Sequence, residues 1–134
     1  MSSSAIARSR SSGRSESAQH DAGADAVVVA ILQAELAIPG AASLKDKRRV
    51  VKSLKDRLHR EHQVSVAEVA AQDIHNVAVL GVAMVSGSGE VAGATLDRVE
   101  NKLRGLLDAE VVATMREILQ GDAGEMGDEG EDAA

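Results

Sequence analysis

Between Ser43 and His62 the segment SLKDKRRVVKSLKDRLHREH gathers eight lysines and arginines against three acids, in a chain of 134 residues whose net charge is −6. Cations at that density do one thing well: they concentrate anions, phosphates included. If the segment is helical, Lys45, Arg48, Arg49, Lys52 and Lys55 occupy one arc of its surface. They are the candidate contacts to RNA phosphates or to an acidic protein partner. No base-reading group accompanies them, so nucleic-acid binding here would ignore base sequence. The competing expectation is a solvated face braced by an Asp56–Arg60 pair at i,i+4. The skew of charge within an acidic chain favours docking.

Other reactive types are sparse. His59 and His62 stand three apart near the segment's end, with His75 further on. A zinc site needs three or four ligands, and there is no cysteine, so no metal or cofactor is expected. His59 is read as an extension of the basic face and His62 as a favourable charge at a helix C-terminus. Glu68 and Asp73 would form a general-acid pair only if both reached one apolar pocket. The preferred reading is a Glu on a wet strand face and an Asx-type turn. Gly87-Ser88-Gly89 lacks the lysine and length of a phosphate loop and reads as a capped helix start at Ser86 or Ser88. No nucleophile–base constellation emerges, and no enzyme is expected.

Composition removes further classes. Without cysteine there is neither a disulfide framework nor thiolate chemistry, which suits a reducing, cytoplasmic setting. Phe, Tyr and Trp are absent, so a sheet that stacks bases on aromatic rings is excluded. No run approaches the ~20 apolar residues of a membrane span, and no membrane partner is expected.

The elements that would position the cations follow from pattern. AVVVAILQAELAI (26–38) is β-branched, with apolar even positions and Gln33 and Glu35 among the odd ones. The basic helix follows, N-capped by Ser43 with Asp46 three residues on. Leu44, Val50, Val51, Leu54 and Leu58 form its apolar arc. Lys47 intrudes there and is expected to snorkel past the core edge. VSVAEVAA (64–71) and NVAVLGVAMVS (76–86) read as strands joined by a polar turn. A second helix follows, with Ala92, Leu96, Val99, Leu103, Leu106 and Leu107 on one face, and EVVATMREIL (110–119) closes as a strand.

The order βαββαβ predicts an α+β, ferredoxin-like domain over 26–119. Its antiparallel sheet carries two helices on one face, with the first and third strands central. Residues 1–25, rich in Ser, Arg and Ala, and the acidic residues 120–134 are expected to be disordered. The open sheet face would carry Val29, Ile31, Val77 and Val79, beside Val27 and Val85. So much apolar surface is expected to pair in a homodimer.

SLKDKRRVVKSLKDRL, then VSVAEV, QD and LGVAMVS, resemble the YlxP-like family, a small bacterial domain of unknown function. The resemblance covers about Val28 to Leu119. It implies a ferredoxin-like fold and a place near the ribosome, since family members are commonly encoded beside factors of translation initiation and ribosome maturation. It implies no activity. Members often carry aromatic residues after Q-D and near the helix end, where this chain has Ile74-His75 and His62-Gln63. The expected function is a non-catalytic accessory factor of translation or ribosome maturation, with ribosomal RNA or ribosome-associated proteins as partners. The alternative is a homo-oligomeric interaction or small-ligand-binding module that uses its sheet face.

Overall fold

The computed structural model describes residues 26–121. The disorder expected of 1–25 and 122–134 lies outside them. Six elements follow in the expected order: β1 (Val28–Ala37), α1 (Leu44–His62), β2 (Ser65–Ala70), β3 (Val77–Ser86), α2 (Gly89–Arg104) and β4 (Glu110–Gln120). Gln120, assigned above to the acidic segment, is instead the last residue of β4 and pairs with Val28.

The sheet runs β2-β3-β1-β4, with every neighbouring pair antiparallel. The fold is therefore α+β and ferredoxin-like, with the first and third strands in the middle. Alternation in β1 decides which face is dry: Val28, Ala30, Leu32, Ala34 and Leu36 are buried, and the residues between them only half so. Opposite them on β3, Ala78, Leu80 and Val82 are buried too. Both helices cover this face, α1 over β2 and β3 and α2 chiefly over β1 and β4. Leu54 and Leu58 of α1 and Leu96, Val99 and Leu103 of α2 close an aliphatic core without one aromatic ring.

Caps set the helix limits. Ser43 Oγ accepts the Asp46 N–H at 3.1 Å, and the Asp46 carboxylate reaches back to the Ala42 N–H at 3.0 Å, one residue beyond the usual capping box. Gln63 ends α1 in the left-handed conformation at φ 56 and donates its N–H to His59 O. Ser88, not Ser86, caps α2. At the far end α2 stops at Arg104, so Leu106 is only half-buried and Leu107 is fully exposed. The apolar period predicted one more turn, but Gly105 ends the helix before Leu107 can reach the core.

Candidate functional site

The helix α1 divides its circumference between two tasks. Val51, Leu54 and Leu58 face the core. Lys45, Arg48, Arg49 and Lys52 are exposed, and Lys55 is half-buried on the flank. From Lys45 to Arg60 the cations extend about 22 Å along the axis, at ~1.5 Å per residue.

The basic surface is not uniform. A shallow hollow of about 400 Å³ is lined by Arg49, Lys52, Ser53, Asp56, Arg57 and Arg60. It takes in two of the five sequence candidates. Lys45, Arg48 and Lys55 lie outside it, so the structure does not bring all five to one spot. It adds Arg57 and Arg60, which continue the i,i+3/i+4 row through 49, 53, 57 and 60.

Asp56 pairs with Lys52 at 3.3 Å rather than with Arg60, and Arg49 lies 3.8 Å from Asp46. Such exposed pairs contribute little and yield readily to a stronger anion. Among the described residues, Lys45, Arg48, Lys55, Arg57 and Arg60 make no ion pair. Three acids on the helix offset only part of the field of its eight cations.

Lys47 belongs to a different constellation. It does not snorkel: it is 0% exposed, the largest fully buried side chain of the domain. Its Nζ donates to Ala71 O at 2.8 Å and Val77 O at 3.0 Å, and it lies 2.7 Å from Glu68 Oε2. Strand register explains the encounter. Glu68 pairs with Leu80, a core residue, so its side chain points to the helix layer and not to a wet face. The contact with Oε2 is an ion pair rather than an aligned hydrogen bond, since that oxygen has no hydrogen-bond partner. One cation therefore ties α1 to both ends of the β2–β3 connection. Two carbonyl acceptors, one carboxylate partner and no exposed surface make it a structural tie and not a reactive amine.

The same connection explains two local irregularities. Past Glu68 the β2–β3 register shifts by one residue, leaving Val69 unpaired in a bulge. Val69 then lies over Gly81, where an added Cβ would come within 3.0 Å of its Cγ1. Ala71 takes the left-handed conformation at φ 58, which aims its carbonyl at Lys47. Asp73 sits exposed in the following turn, so Glu68 and Asp73 do not share an apolar pocket.

The histidines are also separated in role. His59 Nδ1 lies 3.1 Å from Val64 O, where it ties the helix end to the start of β2. His62 Nε2 is 4.0 Å from Glu61, and His75 is exposed in the β2–β3 turn. Among the described residues, no three His, Asp or Glu side chains are grouped so as to hold a metal ion. Glu61 is bridged to Lys102 of α2 at 2.8 Å, and that hydrogen bond holds its carboxyl below the ordinary value of 4.5.

The second candidate surface is the open face of the sheet. Val29 and Ile31 on β1 and Val77 and Val79 on β3 are half-buried there, and Val85 is 68% exposed. By register Met115 and Leu119 of β4 share this face, and Gln33, Glu35 and Glu117 interrupt it. Three strands of ten or eleven residues and one of six, ~4.8 Å apart at ~3.4 Å per residue, make a footprint of about 600 Å². Among the described residues, no helix is long and apolar enough to cross a membrane.

A family model described as a protein of unknown function, DUF503, matches residues 29–116, a stretch that takes in β1 through most of β4. The YlxP-like resemblance is consistent with that family. No curated protein matches the chain.

Proposed function

The chain belongs to the DUF503 family, and we propose that it serves as a non-catalytic accessory factor of translation or ribosome maturation, docking through α1 on RNA phosphates. The observation that carries this is the excess of cations on α1, eight against three acids, with a hollow between Arg49 and Arg60 among them. Cations spread over ~22 Å of helix match the linear charge of a nucleic-acid backbone better than a single small anion. The genomic setting implied by the YlxP-like resemblance supplies the neighbourhood, ribosomal RNA and its associated proteins in the cytoplasm. Nothing aromatic is present to stack on bases, so affinity would come from phosphates and be indifferent to sequence.

The test replaces Lys45, Arg48, Arg49, Lys52 and Lys55 with Gln, verifies folding by circular dichroism, and measures co-sedimentation with ribosomal particles across a salt series. If about four of these cations meet phosphates, log affinity of the parent falls with log salt at a slope of roughly −3, and the variant loses most of that slope. Unchanged association of the variant, or none in the parent, removes the reading. Binding to intact particles without binding to their extracted RNA assigns the surface to an acidic protein instead.

A second reading rests on the open face. Its footprint of about 600 Å² sits at the low end of specific interfaces, and Val29, Ile31, Val77 and Val79 supply an apolar centre, as a homodimer would need. A light-scattering mass equal to the monomer at tens of micromolar would refute it.

A further inference from the structure

Charge is partitioned along this chain in a way that its total conceals. Residues 26–121 hold twelve Lys and Arg and twelve Asp and Glu, and the first 25 residues hold three of each. The whole net charge of −6 therefore resides in the thirteen residues after Gly121, DAGEMGDEGEDAA, with six acids and no base. Within the balanced part, eight of the twelve bases lie between Ser43 and His62 beside only three acids. One segment of the chain is the electrostatic complement of another.

The fold delivers that segment to the right end of the molecule. Gln120 pairs with Val28, and the Gly121 N–H donates to Val27 O at 2.8 Å, at the start of β1. On the other side of β1, Val29 pairs with Val85 of β3. Val85 in turn lines a groove of about 850 Å³ together with Asp56, His59 and Arg60 of α1. Gly121 is thus two strand spacings, about 10 Å, from the strand that floors this groove. Thirteen residues span up to ~43 Å when extended. The basic end of α1 lies within easy reach.

We propose that residues 122–134 dock on the basic hollow of α1, on Arg49, Lys52, Arg57 and Arg60, and there compete with polyanionic partners. The proposal rests on the reading of α1 as an anion-docking surface and adds its regulation. Tethering sets an effective concentration in the millimolar range, so even a weak contact populates. A polyanion must displace it, which discriminates against short or sparsely charged anions and favours long ones. The contact is electrostatic and disappears with salt.

The chain lacks cysteine, so Gly130→Cys in the full chain carries a single spin label. The label should broaden amides of Arg49–Arg60 selectively, compared with the outer face of α2, at about 0.01 M salt, and should not do so at about 1 M. Replacing Arg57 and Arg60 with Gln should weaken the broadening. Removing residues 122–134 should tighten binding of heparin, used as a model polyanion, by about 2–10-fold at low salt. Absence of α1-selective broadening at low salt overturns the proposal, as does heparin affinity that is independent of the segment. Selective broadening in a chain that binds no polyanion with or without the segment upholds the contact but refutes the proposed competition and the docking reading of α1.

Discussion

Replacing Lys47 with Met should cost about 3 kcal/mol, a large share of the domain's stability. The figure follows from what the amine touches. Lys47→Met keeps the apolar stem but strips the donor from Ala71 O and Val77 O and the counter-charge from Glu68 Oε2. Breaking a buried pair from one side costs about 3–5 kcal/mol, because the abandoned charge keeps its desolvation penalty. Glu68 retains 17% side-chain exposure, so water relieves part of the loss, and the lower end of that range applies. A domain of this size holds about 5–15 kcal/mol in total, so the variant still folds. Urea unfolding must be followed by circular dichroism, since the chain has no Tyr or Trp to report by fluorescence. With a slope of about 1.5 kcal/mol per molar, the midpoint falls by about 2 M. The double variant Lys47→Met/Glu68→Leu removes the stranded carboxylate and should regain about 1–2 kcal/mol. A single variant within about 0.5 kcal/mol of the parent, or a double variant no better than the single, would refute the assignment of Lys47 as the tie between α1 and the β2–β3 connection.

Other consequences are simpler to check. Ala71→Gly relieves a left-handed alanine at φ 58 and should raise the urea midpoint, stabilising by about 0.5–1 kcal/mol after the entropy cost of glycine is subtracted. Ser43→Ala loses the cap on Asp46 N and should cost about 1 kcal/mol in the same experiment. Burial acts to raise the Glu100 carboxyl, but hydrogen bonds from Arg104 and Arg116 outweigh it and hold the group below its ordinary value of 4.5. A depressed folded-state value means that the unfolded chain binds the proton more tightly. The stabilisation is thus complete above the ordinary value and is lost as pH falls through the folded-state one. Unfolding measured across that range should show a shallower acid loss in Glu100→Gln than in the parent.

Much of this architecture was legible because it depends on local periodicity. Even positions of β1 faced the core as their alternation required, and the Leu/Val arc of α1 packed where a 3.6-residue period placed it. The exposure of Lys45, Arg48, Arg49 and Lys52 follows from the same period, because the apolar arc consumes the opposite side. Leu107 departs from the pattern for a local reason too: the apolar period runs on past Gly105, but the helix ends there, and only Leu106 still packs against the core.

Periodicity could not locate the partner of Lys47. A lysine inside an apolar arc either reaches past the core edge or finds acceptors within it, and the choice depends on residues 21 to 30 positions away. Strand register turns Glu68 inward, a bulge at Val69 follows, and a left-handed Ala71 turns one carbonyl toward the amine. None of these is a property of the segment around Lys47. Similarly, Arg57 and Arg60 join Arg49 and Lys52 around one hollow only once the side chains are packed. The sequence by itself determined the elements, their order and the division of α1 into a dry and a charged side, since these follow from nearest-neighbour spacing. Tertiary structure alone decided that Lys47 is buried as a tie and not exposed at the core edge, because desolvation is set by residues distant in the chain.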